Sequence, residues 1–262
     1  MTSPLMIGVG GALGRMGRAV TALARARHGV TVAGRFDRPG VDDGAHDPLP
    51  LVAIDRVLAD CSVVIDFSTG PATAALARAA AERGATALVV GATGLSPEEE
   101  AAVAEAARTI PIVKSGNYSL GVNVLAGLVE QAARRLPADV WDIEVLEAHH
   151  RRKVDSPSGT ALLLAAAAAR GRGRVLADVA LGPRDGIGGP RPEGAIGFAS
   201  LRGGGIVGEH SVVFAAEEET LTLSHSARDR ALFARGALEA ALWVAGRPPG
   251  LYDMTDVLGF RD

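Results

Sequence analysis

The stretch EAHHRRKVDSPSGTA, Glu147 to Ala161, gathers side chains suited to moving a proton and holding an anion. His149 and His150 are adjacent, so in an extended segment their rings point to opposite sides and serve different ends. One is suited to offering a proton near neutral pH while the other helps to hold an anion. Pro157-Ser158-Gly159-Thr160 reads as the start of a helix, whose first amides and the Thr160 hydroxyl form an anion trap. Arg151, Arg152 and Lys153 add positive charge, so the expected guest carries a carboxylate or phosphate. Asp155 either orients Lys153 or caps the helix. Two other readings compete. Glu147 and His149 share a strand face and could ligate a metal, but they lack the Cys or second-His spacing of a usual zinc site, and no metal is expected. A solvated basic loop is the other.

A second constellation opens the chain. VGGALGRMGRAV sets Gly11, Gly14 and Gly17 between an apolar run and a helical one. Glycines there allow a tight turn and a close approach of backbone to a pyrophosphate at the helix N-terminus. The spelling is G-x-x-G-x-x-G, a weak signal alone. Asp37, 20 positions after Gly17 at the end of the next apolar run, stands where an acid accepts hydrogen bonds from the adenosine ribose. Arg38 follows, and a guanidinium can hold a 2′-phosphate. The loops Asp66–Pro71, which contains Phe67, and Val90–Ser96 carry small residues suited to a nicotinamide-ribose, and Asn117 and Tyr118 lie in a third. Plain turn chemistry, with Asp66 capping the following helix, is the alternative.

These residues need elements to position them. Leu5–Val9, Val30–Phe36, Ser62–Phe67, Thr86–Gly91 and Ile110–Lys114 are continuous apolar runs, the pattern of strands buried on both faces. Helices are predicted over Pro71–Arg83 and Pro97–Arg108, the latter with Ser96 as N-cap and Glu98–Glu100 complementing the helix dipole. Such alternation predicts an α/β fold with a Rossmann-like, doubly wound parallel sheet. After about residue 120 comes a helix over 121–135, then VWDIEVLEAHH, an Ala/Leu helix from Thr160, a Gly/Pro/Arg surface connection over 171–194, and strands joined by a Gly-rich hairpin. A helix over about 229–245 and a short tail close the chain. A second α+β domain with a mixed or antiparallel sheet is expected.

A chain of 262 residues with 48% hydrophobic and 22% charged residues is globular. Its net charge of −3 gives no pull toward nucleic acid or an anionic membrane, and no apolar run reaches membrane-spanning length. The N-terminus does not read as a signal peptide, and the single cysteine, Cys61, suits a reducing compartment, so a cytoplasmic protein is expected.

With these residues in view, the chain resembles the 4-hydroxy-tetrahydrodipicolinate (dihydrodipicolinate) reductase family. EVLEAHHRRKVDSPSGTA carries the resemblance, supported by GALGRMGR, GNYSLGVN and GAIGFASLRGGGIVGEH, nearly the length of the chain. The resemblance implies a dinucleotide-binding domain over 1–120 and 229–262, with a substrate-binding and oligomerising domain over 121–228, and a homotetramer. It implies reduction of an anionic dicarboxylate by NADPH or NADH in the diaminopimelate route to lysine. Carried over by position, His149 is the proton donor and Lys153 the cationic acid beside it, while His150, Ser158, Gly159 and Thr160 bind substrate. Gly11, Ala12, Leu13, Gly14, Arg15, Met16, Asp37, Arg38, Phe67, Gly91, Ala92, Thr93, Ser115, Gly116, Asn117 and Tyr118 contact the cofactor. Ala92 departs from the family's usual Thr, Tyr118 from its usual Phe, and Ser115-Gly116 from the commoner small pair. An aspartate dehydrogenase would share the front half without H-H-x-x-K-x-D-x-P-S-G-T, and a non-catalytic NAD(P)H sensor would not need an acid.

Overall fold

The computed structural model describes residues 3–260 apart from 42, 44–46 and 183. Elements are numbered in chain order. The first part runs β1 (Leu5–Gly10), α1 (Arg15–Arg25), β2 (Val30–Phe36), α2 (Ile54–Asp60), β3 (Val63–Asp66), α3 (Gly70–Arg83), β4 (Ala87–Val90), α4 (Pro97–Ala106) and β5 (Pro111–Lys114). The second runs α5 (Leu120–Arg135), β6 (Asp142–His149), α6 (Gly159–Gly171), α7 (Leu176–Val179), β7 (Ile196–Arg202), β8 (Gly208–Ala215) and β9 (Thr220–Ala227). The chain ends with α8 (Ala231–Val244), β10 (Gly250–Tyr252) and α9 (Met254–Val257). It divides into two units, Met1–Leu120 with Ala231–Asp262, and Gly121–Arg230.

The first unit is built on a six-stranded, all-parallel sheet in the order β10-β5-β4-β3-β1-β2. Its apolar strands bury both faces. Ile7, Val9, Ile65, Val89 and Val113 pack with Val20 and Ala24 of α1 and Ala237 and Ala241 of α8. Val64, Leu88, Val90 and Ile112 pack with Leu58 of α2, Leu76 of α3 and Val103 of α4. The order reverses at β1, between β2 and β3, which is where such sheets bind ligands. Gly10, Asp66, Val90 and Lys114 are in register on neighbouring strands, so the loops after β1, β3, β4 and β5 leave one edge side by side.

Local signals explain the helix starts. Ser96 is the N-cap of α4 as the sequence predicts, and Glu99, read there only as a dipole charge, completes a capping box by returning to the Ser96 amide. Four short elements went unread: α2, α7, α9 and β10. Helix α2 is only seven residues long and its N-cap, Ala53, makes no side-chain cap. Strand β10 has three residues, and it exists because α8 returns the chain beside β5.

The second unit has a four-stranded sheet in the order β7-β6-β8-β9. Strand β6 pairs parallel with β7 and antiparallel with β8, and β8 pairs antiparallel with β9, so the sheet is mixed. The expected Gly-rich hairpin does not form, because β6 lies between β7 and β8. Instead the glycine segment bonds to the end of β6 and the loop that follows it, with Gly203 N donating to His149 O at 2.9 Å and Arg151 N to Gly204 O at 3.3 Å. Alternate residues of β6, among them Ile143 and Val145, face a core made with Val129 of α5 and Leu164 of α6. The connection over 172–195 contains α7, and Arg191 pins it by donating to the Ile143 and Ala195 carbonyls.

Candidate active site

In the first unit a cleft of about 460 Å³ is lined by Gly11, Leu13, Gly14, Asp37, Arg38 and Phe67 together with Ser68, Thr69 and Ala72. The glycine loop shows why each glycine is needed. Gly11 has φ +64°, and a Cβ there would lie 2.6 Å from the Phe67 carbonyl oxygen. A Cβ at Gly17 would collide with the Gly11 carbonyl, whereas one at Gly14 would have only the Gly11 oxygen within 4 Å. Gly11 therefore makes the turn, Gly17 lets α1 pack against it, and Gly14 leaves the backbone open to a ligand. Asp37 accepts from Leu13 N and Arg38 N, both at 2.8 Å, which ties the end of β2 to the loop. Each carboxylate oxygen retains acceptor capacity for a ribose hydroxyl. Ala12 is buried below, and Arg15 and Met16 begin α1. These residues fit a dinucleotide.

The other predicted cofactor residues lie on the same sheet edge. Asp66 is buried and accepts from Thr73 Oγ1 and Ser68 N, so it shapes the loop after β3. Burial raises its pKa, opposed by those bonds. It does not cap α3, whose N-cap is Thr69. Gly91 donates to the Asp66 carbonyl, and a Cβ on it would collide with the Phe67 ring. Ala92 is buried and Thr93 exposed. Ser115 and Asn117 bond to each other beside exposed Gly116. The Tyr118 side chain turns inward, its hydroxyl 2.8 Å from Val90 O and 3.0 Å from Val113 O, and burial pushes its pKa up. The hydroxyl added by this departure thus clasps β4 to β5.

In the second unit the strand alternation separates the two histidines. His149 continues the buried row of β6 after Glu147, while His150 lies just beyond the strand. His149 Nδ1 lies 2.5 Å from Glu147 Oε2. Glu147 is clamped by Arg202, Nη1 to Oε2 at 2.8 Å and Nη2 to Oε1 at 2.7 Å, and it also accepts from Ser158 N at 3.2 Å. Ser158 is the N-cap of α6, accepting from Ala161 N and lying 3.1 Å from His210 Nε2. Gly159 and Thr160 then form the positive end of the helix. Lys153 Nζ donates to Asp155 at 2.8 Å, so Asp155 orients the lysine and does not cap the helix. Arg230 donates to His150 Nε2 at 3.2 Å, adding a cation on that side. Arg151 and Arg152 are exposed.

The electrostatics follow from burial. Burial pushes the Glu147 carboxyl up, but Arg202 and hydrogen bonds from His149 and Ser200 outweigh it and hold the pKa at about 2. Burial lowers His149, against the pull of Glu147 and with help from Lys153 and Arg202. Burial likewise takes His210 to about 4, helped by neighbouring His149. Among the described residues no group of three or more His, Cys, Asp or Glu is placed to hold a metal ion. The Glu147 charge is met by a guanidinium.

Sequence reading missed Arg202, His210 and Arg230, and took Glu147 only as a possible ligand. The i, i+2 spacing that suggested a metal pair was the available signal for Glu147. Arg202 and His210 lie on β7 and β8, opposite His149 and Glu147 in register, which only the strand order reveals.

A glycine-loop cleft at the switch point of a parallel sheet defines a dinucleotide-binding protein of the Rossmann-like class, here with a second unit in which Glu147 joins His149 to the N-cap of α6. The chain belongs to the dihydrodipicolinate reductase family: residues 5–118 match its "Dihydrodipicolinate reductase, N-terminus" and residues 121–258 its "Dihydrodipicolinate reductase, C-terminus". A protein of Caulobacter vibrioides named 4-hydroxy-tetrahydrodipicolinate reductase is 59% identical, covering 100% of both chains. One of Rhizobium rhizogenes with the same name is 52% identical over 95% of this chain and 94% of its own. The fold is shared with a dipicolinate-bound dihydrodipicolinate reductase from Paenisporosarcina sp. TG-14, TM-score 0.79 at 20% identity, covering 95% of this chain and 97% of that one.

Proposed function

We propose that the protein reduces 4-hydroxy-tetrahydrodipicolinate to tetrahydrodipicolinate with NADPH or NADH, in the diaminopimelate route to lysine. The observation that carries this reading is the second-unit site, where His149, Lys153 and the N-terminus of α6 occur in a chain of this family. Bound NAD(P)H supplies the hydride. Gly11 to Met16 would hold its pyrophosphate, Asp37 and Arg38 its adenosine ribose, and the loops after β3, β4 and β5 its nicotinamide half. His150, Ser158, Gly159 and Thr160 hold the substrate carboxylates, and positive charge from Arg230 supports them. Water leaves the hydroxylated ring to give a conjugated imine, and reduction adds one hydride and one proton. His149 with Lys153 supplies the proton. The direct test is NAD(P)H oxidation with substrate formed in situ from pyruvate and aspartate semialdehyde. Turnover supports the reading, and its absence overturns it.

Three further expectations arise here. Asp37 favours free ribose hydroxyls and Arg38 a 2′-phosphate, so both cofactors are used. Arg38→Ala removes a charge-assisted contact of about 1.5–3 kcal/mol, which raises the KM for NADPH about 10- to 100-fold and spares NADH. Equal loss with both cofactors would misplace the contact. Thr160→Val keeps the shape of the first turn and deletes a hydroxyl, so the substrate KM should rise with cofactor affinity unchanged. Pyridine-2,6-dicarboxylate, which presents two carboxylates, should compete with substrate and not with NADPH.

A homotetramer is supported by the sheet face away from α5 and α6. Leu146 and Leu201 are 42% and 54% exposed there, beside Ala148 and Ala199 of the same strands. Light scattering should give four times the 26.8 kDa chain mass. A cytoplasmic location belongs to the same reading, in keeping with a free, buried Cys61.

A further inference from the structure

We propose that Glu147 is the positioning residue of the proton-transfer site: held by Arg202, it fixes His149 with its hydrogen on Nδ1 and ties that ring to the N-cap of α6. The proposal rests on the reading that His149 and α6 serve the substrate. Besides the Ser200 hydroxyl, four donors converge on this one carboxylate: His149 Nδ1 at 2.5 Å, Arg202 Nη1 at 2.8 Å and Nη2 at 2.7 Å, and Ser158 N at 3.2 Å. A carboxylate has about four lone-pair positions, so the inventory is filled. The Glu147 side chain is only 1% exposed, so water does not replace a missing donor easily.

The tautomer follows from the partners. An ionised carboxylate only accepts, so the hydrogen between Glu147 and His149 belongs to Nδ1. In the neutral ring Nε2 then carries a bare lone pair. Among the described residues Nε2 has no hydrogen-bond partner, and Gly208 keeps the space beside it clear, since a Cβ there would lie 3.1 Å away. The reacting proton therefore passes through Nε2. It leaves from the imidazolium, whose other hydrogen stays on Nδ1 against Glu147, and the ring returns to the Nδ1–H tautomer. The charged and titratable groups around the ring are Glu147 on its own strand, Lys153 and Asp155 in the following loop, Arg202 on β7 and His210 on β8, whose ring packs edge-on at 5.0 Å between centroids.

Glu147→Gln separates this role from simple packing. A glutamine side chain has one acceptor oxygen and an NH2 group, and either orientation sets that NH2 against an Arg202 nitrogen. If the NH2 faces His149, the ring must accept at Nδ1 and carry its hydrogen on Nε2. The test is ring-nitrogen NMR on the full chain labelled with 15N-histidine, without ligand, together with kcat and KM across pH. The wild type is expected to show the Nδ1–H tautomer of neutral His149. Glu147→Gln is expected to shift it toward Nε2–H, to lower kcat at least about 10-fold, and to move the pH limb assigned to His149. Arg202→Lys, which keeps a cation beside Glu147, should retain the wild-type tautomer. A wild-type ring found as Nε2–H, or Glu147→Gln turning over at the wild-type rate and pH profile, would overturn the proposal. If Glu147→Gln does not fold, the wild-type tautomer decides alone. The tautomer is measured without substrate, so failure of the wild type to turn over the proposed substrate would count against the functional reading only.

Discussion

Replacing His149 by Gln or Lys153 by Ala is expected to lower kcat by about 10²–10⁴-fold, the usual worth of general acid catalysis, while KM moves far less. The asymmetry arises because a group that gives up a proton interacts more strongly with the transition state than with the bound substrate. The surroundings sharpen the expectation. Burial lowers the pKa of His149, so the resting ring favours its neutral form near pH 7. An arriving dicarboxylate adds negative charge, which favours the imidazolium. In the proposed reaction Lys153, steadied by Asp155, supplies a second cation for the same task. If both residues serve one proton transfer, as proposed, the double variant should lose much less than the product of the single losses. His150→Gln should act mainly on KM, since that ring lies beyond the strand beside Arg230. Steady-state kinetics of the four variants check this. A rise in KM with kcat intact at His149 would make it a binding group and not the acid.

How much of this was legible varies with the range of the interactions. The parallel sheet could be read because strands buried on both faces must be continuously apolar, as VVID of β3 and ALVV of β4 are. The α4 start was legible because its N-cap Ser96, Pro97 and first-turn glutamates are all local signals. The glycine fingerprint was ambiguous as a string, and its meaning came from Phe67, distant in sequence, whose carbonyl forbids a Cβ on Gly11. The separation of His149 from His150 was readable from strand alternation alone. What surrounds His149 was not. Arg202 and His210 reach Glu147 and Ser158 across neighbouring strands, and the order β7-β6-β8 overrode the local hairpin signal of the glycine run. Glu147 lay in plain view with the right spacing, but without Arg202 its charge had no partner except a metal.

That pairing gives the other large effect expected. Arg202→Ala should destabilise the protein by about 3 kcal/mol at pH 7, the low end for breaking a buried ion pair, because Arg202 itself is 21% exposed and water can fill part of its place. The cost comes from the Glu147 carboxylate, which keeps hydrogen bonds from His149, Ser158 and Ser200 but loses the cation that balanced its charge. Its sign with pH is fixed by the direction of the shift. In the wild type the folded pKa is about 2, below the unfolded value of about 4.3. The stabilisation is therefore complete above the unfolded pKa and is lost as pH falls through about 4 toward 2. In the variant burial dominates, the folded pKa rises, and the carboxyl can protonate to escape its cost. The gap between wild type and variant should thus be widest near pH 7 and narrow at pH 4 and below. Adding Glu147→Gln to Arg202→Ala removes the stranded charge, so the double variant should lose less than the sum of the single losses. Urea unfolding at pH 7 and pH 4 measures both expectations. A penalty equal at the two pH values would mean that Arg202 stabilises the fold through packing, or through its bond to the Asp155 carbonyl, and not through the charge on Glu147.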